Sequence, residues 1–481
     1  MTMPHDDGLE DFADLMASAP SGASHVSLSA EDAERLRRRR RRRRRGWLIA
    51  AGVVLAIVAG AGGYTAWALS APLPALETTT RVPTVAPGAP AALAMPSGRA
   101  AAISVVGAAG DLGAAGLHAV SGDDQPRPIA SISKLITALV VLDAHPLQSA
   151  DDPGPTITFD KADHDLYDQY YVLGATVAAM PTGSSMSLRD ALTTMLLPSA
   201  SNYADAVATW AFGSRSGYVS ATRTWLQAHQ LNGTTIVEPT GIDERNTSTP
   251  SDLLAIGQLA AANPALARIT SMPSATVPTV GEVDNTNDLL GSDGVTGLKT
   301  GNLGAGTFAL LYTATSNPGL GEPLKIVGVS LDGQSREQVD ADVTTALRSV
   351  AAGVHLVPVA KAGTPVGTVT SPWGGEAQLV LSRDESLLTW SDTPITASIT
   401  LTIAPTGQDG QQIGIATWTS GGRSASVAVA VRGTIAPPDD WWKLTHPSLL
   451  GGPAPSPSPS PSPSPSPSPS VSPSPTPTPG G

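Results

Sequence analysis

Apolar residues recur along this chain in three different rhythms. The first is an unbroken uncharged run of 23 residues, Trp47 to Leu69. At about 1.5 Å per residue such a run is long enough to cross a hydrocarbon core, so 47–69 is predicted as one transmembrane helix. The second rhythm is helical spacing, which predicts helices over 131–144, 188–196, 203–211 and 217–230. Ser187 followed by Asp190 reads as a cap for the second of these. Interleaved with them are strand-like runs. "GRAAAISVVGAAGDLGAAG" holds two around a Gly/Asp turn, a hairpin, and "TFALLYTA" and "LKIVGVSL" precede a helical "SREQVDADVTTALRSVAAG". Mixed helices and antiparallel strands predict an α+β domain over 98–355. The third rhythm is short alternating runs such as "EAQLVLSRD" and "RSASVAVAVRG", which predict a small all-β domain over 356–436. Residues 1–46 are polar and biased and read as a disordered tail. The Pro/Ala-rich 70–97 reads as a linker, and the Pro/Ser repeat within 437–481 as an extended tail.

Charge places these pieces. The chain carries a net −12, yet residues 1–46 hold ten arginines against eight acids, so the remainder is strongly acidic and unsuited to nucleic acid. Arg37 to Arg45 abut the apolar run. The positive-inside rule then puts 1–46 in the cytoplasm and the following domains outside, a single-pass cell-membrane protein. A nuclear or nucleic-acid tag is the competing reading of the arginines, and it fits poorly beside a membrane span. A cleaved signal peptide ending at "AWA", 66–68, competes with an anchor, but the span is long for one and its head very long. The chain has no cysteine, which excludes disulfides, thiol catalysis and Cys-ligated zinc.

Candidate chemistry begins with "PIASISKLITALVVLD", 128–143, where Ser131 precedes Lys134, one of six lysines, by three residues. On a helix the two share a face. Serine at a helix start is commonly only a cap. Two further stretches bear on that choice. "GVTGLKTGNLGAGTFALLYTA" carries Lys299, Thr300 and Gly301 into a strand, and "LLPSASNYADAVA" places Ser199 to Asn202 in a loop between helices. Ser-x-x-Lys, a Ser/Asn loop and Lys-Thr-Gly, in that order, are the signatures of penicillin-recognising serine enzymes.

Together with "PTGIDERNTSTPSDLLAIGQLA", these stretches resemble the D-alanyl-D-alanine carboxypeptidases, the low-molecular-mass penicillin-binding proteins, from about 98 to 350. The β-rich 356–436 is similar to the second domain many of them carry. The resemblance implies a penicillin-recognising α+β fold, acting on peptidoglycan stem peptides and acylated by β-lactam antibiotics, with no cofactor or metal. Ser131 is then the nucleophile, and Lys134, kept partly neutral by burial and by nearby Lys299, its base. Ser199 relays a proton to the leaving amine. Lys299 and Thr300 hold the substrate's terminal carboxylate, and the backbone N–H groups of Ser131 and Asn302, just after Gly301, form the oxyanion hole. One departure stands out. The family's central motif is Ser-x-Asn, whereas Ser199-Ala200-Ser201 has serine third and Asn202 one place later. Either Ser201 fills the role, which keeps the family register without a gap, or the loop is shifted to Asn202.

Other classes fit less well. A class A β-lactamase would add a Glu-x-x-Leu-Asn carboxylate that "EPTGIDERN" does not match, and a triad hydrolase would want Gly-x-Ser-x-Gly. Zinc chemistry would want clustered histidines, but the eight are scattered and His145, His164 and His229 read as surface or packing residues. A degenerate scaffold that only binds the cell wall remains the non-enzyme alternative.

Overall fold

The computed structural model describes residues 30–451. They divide into two units, 30–75 with 436–451, and 76–435. Residues 1–29, expected to be disordered, and the expected extended Pro/Ser repeat from 452 lie outside the described residues.

In the first unit, one helix runs through Ala30–Ser70 (α1). The expected disorder of the arginine run is therefore corrected for 30–46. Arginine is a good helix former, and the apolar run beyond it gives the helix a nucleus from which to propagate. Arg37–Ser70 is the one described helix long and apolar enough to cross a membrane. A short helix, Asp440–Thr445 (α11), packs on α1 and is capped by Asp439, whose side chain accepts from Trp442 N at 2.7 Å. Tyr64 Oη donates to Leu444 O at 2.6 Å. The expected C-terminal tail thus begins with folded structure.

The second unit is built on a five-stranded antiparallel sheet. Its order is Val295–Gly301, Phe308–Ser316, Leu324–Gly333, Ala101–Val106, Leu117–Ser121, with the short helix Ala109–Leu112 (α2) joining the last two. Both faces are buried, and alternate residues divide between two cores. Leu298, Leu311, Val329 and Leu331 join one with the helices Ser133–Ala144 (α3), Lys161–Val172 (α4), Leu188–Leu196 (α5), Ser201–Phe212 (α6), Arg215–Ala228 (α7), Pro250–Ala262 (α8) and Pro264–Thr270 (α9). Leu310, Tyr312, Ala314 and Ile326 join the other, under Arg336–Ala352 (α10). Helix α3 is buried from Ser133 to Leu142. This central helix has no solvent face, so the cost of enclosing its one lysine is borne by the whole domain.

The β-rich region forms a six-stranded antiparallel sheet and a separate pair, Val354–Ala360 with Glu385–Trp390, around a core centred on the fully buried Trp418. The expected free linker at 70–97 is corrected. Glu77–Thr80 pairs antiparallel with Pro365–Thr370, adding an edge strand to that sheet, as its three threonines favour. Beyond it, Ala91 N donates to Ser391 Oγ at 2.9 Å and Ala94 N to Ser349 Oγ at 3.0 Å. The segment is a strap against the core under α10 and the core around Trp418.

Candidate active site

Ser131 lies in a 3-10 turn, Ala130–Ile132, that runs into α3. No side chain caps either element, so Ser131 is not a helix cap. Instead Lys134, one turn on, donates from Nζ to Ser131 Oγ at 2.9 Å and to Thr240 O at 2.8 Å. Ser131 is half-buried while Lys134 is fully enclosed. Burial lowers the Lys134 amine from its usual 10.5 to about 7, and the negative charge of Glu238 works against that shift. An amine near neutrality, hydrogen-bonded to a hydroxyl, can take up the hydroxyl proton.

Lys299 enters on the edge strand Val295–Gly301, whose end packs on the Ser131 turn. A Cβ at Gly301 would stand 2.8 Å from Ile129 O and 3.2 Å from Ala130 Cβ, so only glycine lets the strand come this close. Lys299 is 1 % exposed. Its amine is held well below the ordinary lysine range by burial, then by the charges of Lys134 and Arg336. Thr300 Oγ1 lies 2.7 Å from Thr286 Oγ1, and Arg336 donates to Thr286 O. Lys299, the Thr300 hydroxyl and Arg336 put donors at this corner, which suits an incoming carboxylate, and Arg336 also lies 3.6 Å from Asp288. Asn302, just past the strand, is exposed and accepts from Gly304 N at 2.8 Å.

Ser199 sits ahead of α6, a helix that packs against α3. Its backbone is left-handed (φ 69°), and its buried Oγ has no hydrogen-bond partner. A non-glycine residue in that conformation and an unpaired buried hydroxyl each cost about 1–3 kcal/mol, so the rest of the fold holds this side chain against local preference. Ser201 opens α6, its N–H donating to Thr176 O at 2.8 Å. Asn202 uses both ends of its amide on one residue, accepting from Ala178 N at 3.1 Å and donating to Ala178 O at 2.8 Å. Its side chain braces the loop before α5 and is spent there.

The structure brings Ser131, Lys134 and Lys299 together. His145, His164 and His229 contact Trp210, the Met180 carbonyl and Trp225, respectively. Sequence reasoning missed Thr240, Glu238, Thr286 and Arg336. Thr240 contributes only a backbone carbonyl to Lys134, and no residue type signals that. Glu238 was visible in "EPTGIDERN" but was weighed only as a deacylating carboxylate.

Residues 118–329 match the D-alanyl-D-alanine carboxypeptidase family. The D-alanyl-D-alanine endopeptidase of Escherichia coli is 29 % identical over 231 residues, 45 % of this chain and 68 % of that protein. Among solved structures, the Streptomyces K15 DD-transpeptidase is 23 % identical with a TM-score of 0.45, over 54 % of this chain and 97 % of that one. Penicillin binding protein 5 of Haemophilus influenzae is 17 % identical with a TM-score of 0.46, over 73 % and 100 %. The span that matches that family, residues 118–329, holds Ser131, Lys134, Ser199 and Lys299.

Proposed function

We propose that this protein is a membrane-anchored serine-type carboxypeptidase that removes the terminal D-alanine from peptidoglycan stem peptides and is acylated by penicillins. The contact that carries the reading is Lys134 Nζ at 2.9 Å from Ser131 Oγ. Ser131 Oγ attacks the carbonyl carbon of the last peptide bond while its proton passes to the neutral Lys134 amine. The oxyanion is taken by the N–H groups of Ser131 and Asn302. Ser199 relays a proton to the departing D-alanine nitrogen, the C–N bond breaks, and a serine ester remains. Water hydrolyses that ester, returning the proton to Ser131. Lys299 and Thr300 receive the substrate's free carboxylate, whose charge supplies the counter-ion that a buried Lys299 otherwise lacks. Ser201 takes the third place of the central motif, because Asn202 is committed to Ala178. Helix α1 anchors the protein with its arginines on the cytoplasmic side and the catalytic domain outside.

The test is acylation. Incubated with a labelled penicillin, the full chain should gain one β-lactam mass, mapped to the peptide holding Ser131, and Ser131→Ala should gain none. Label on another serine would overturn the assignment. A second reading comes from the E. coli relative, an endopeptidase by name. On it, the bond cut is a crosslink between stems. D-alanine release from a monomeric stem peptide, compared with cleavage of a crosslinked dimer, separates the two.

A further inference from the structure

The turn 238–246 carries none of the three motifs, yet it is bonded into the site more closely than Ser199 is. Glu238 organises it. One carboxylate oxygen accepts from Thr240 N and Thr240 Oγ1, both at 2.7 Å. The other accepts from Gly241 N at 2.6 Å and Asn246 Nδ2 at 3.0 Å. Asn246 ties the turn to the nucleophile's own segment. Its Nδ2 also lies 3.1 Å from Ser133 Oγ, and its carbonyl accepts from Ile129 N at 3.0 Å. The product of this bonding is the Thr240 carbonyl, which receives Lys134 Nζ at 2.8 Å.

We propose that Glu238 is a positioning residue for serine acylation: its carboxylate shapes the turn that fixes Lys134 against Ser131, and its negative charge acts on the Lys134 amine. The inference rests on Lys134 being the base. It goes beyond that reading in assigning the base's position and proton affinity to a residue outside the motifs.

Among the described residues, Glu238 is the acid whose charge acts on Lys134. Burial lowers the Lys134 amine, and Glu238 is the one charge that raises it. Lys299, on the adjoining strand, is a like charge. Several other charged or titratable groups on the elements around α3 have partners of their own. Asp205 of α6 is held by Arg215 of α7 and by Tyr170. Tyr218 of α7 bonds Thr137, Asp252 of α8 bonds Thr234, and Asp243 pairs with Arg245. Arg189 and Asp190 of α5 line a separate cleft with Asp151 and Arg268.

The experiment measures penicillin acylation rate against pH for the full chain and for E238Q, E238D and K134A. In E238Q the acid limb should move to lower pH by on the order of half to one unit, because the charge favouring protonated Lys134 is gone. Its plateau should fall at least about tenfold, since an amide offers one acceptor where the turn presents donors to both oxygens. E238D keeps the charge and loses reach, so its limb should stay at the wild-type pH while its plateau falls. A purely structural residue would lower both plateaus and move neither limb, and that result overturns the proposal. Should E238Q not fold, a wild-type plateau in E238D overturns it equally. K134A tests the underlying reading by itself. Undiminished acylation there removes Lys134 as base, whereas an inert K134A beside an unshifted E238Q rejects only the role of Glu238.

Discussion

Gly241 lies so close to Ala130 that a Cβ at position 241 would stand 1.8 Å from the Ala130 carbonyl oxygen. Two loops distant in sequence are thus pressed backbone to backbone beside the nucleophile. Gly241 also has φ +82°, a region that side chains disfavour. Gly241→Ala should therefore cost at least about 2–3 kcal/mol. Because the displaced partner is the residue before Ser131, penicillin acylation should fall further than the loss of folded protein explains. Thermal melts and acylation rates on the same samples check this; parallel losses would disconnect the contact from catalysis.

Lys134 must be neutral to accept the serine proton, and its amine titrates at about 7. Acylation should therefore rise as pH passes through about 7 and level off above it; a flat profile across neutral pH would be incompatible with this base. Stability should move in the same direction. The folded value lies below the 10.5 of an ordinary lysine, so between these limits the unfolded chain binds more protons and stability increases with pH. Below about 7 the burial cost is fully present. Lys134→Met should accordingly raise the melting temperature at neutral pH while abolishing acylation, and a lower melting temperature would refute the cost.

Ser199→Ala should lose about 10²–10⁴-fold in acylation rate if the hydroxyl relays a proton. It should leave stability unchanged or slightly improved, because the Oγ removed is buried without a partner. Near-wild-type rates would take this loop out of the mechanism.

The neighbouring positions should separate by kind of defect. Asn202→Ala removes two bonds to Ala178 and should cost about 1–3 kcal/mol of stability. Ser201→Asn should keep or raise activity if Ser201 holds the motif's third place. A severe rate loss in Ser201→Asn, with Asn202→Ala stable, would favour the shifted register instead.

A reporter fused after residue 100 tests the orientation of α1. Activity outside the membrane and silence inside is the expected outcome, and the reverse would remove the external substrate.

Much of this arrangement was legible in the sequence. Ser131, Lys134 and Lys299 stood out because lysine is scarce here, so each motif carried information. The helices α5, α6, α7 and α10 were readable from their periodicity. Helix α3 was readable as apolar but not as central, because a helix buried all round shows no face. Four helices, α4, α8, α9 and α11, escaped despite clear caps. Asp160 opens α4 with a reciprocal capping box to Asp163, and Thr249 followed by Pro250 and Asp252 opens α8. The strap at 77–80 was hidden by its proline-rich neighbours. The role proposed for Glu238 was unreadable because it reaches Lys134 through the Thr240 carbonyl, and no spacing rule reports which carbonyl a distant lysine will find.

The pairing of Glu77–Thr80 with Pro365–Thr370 also sets an order of events. A ribosome produces the first strand early and its partner only after the whole catalytic domain. Until then the early strand waits with its hydrogen-bonding edge open, and the late sheet, once made, must find it across the finished domain. Closing that pair staples the front of the second unit to the first strand of its β-rich sheet, so a chain cut short before residue 365 would leave an unmated strand at its front. Incomplete copies of this protein would advertise themselves to proteases by that loose strand, even where the catalytic domain had folded.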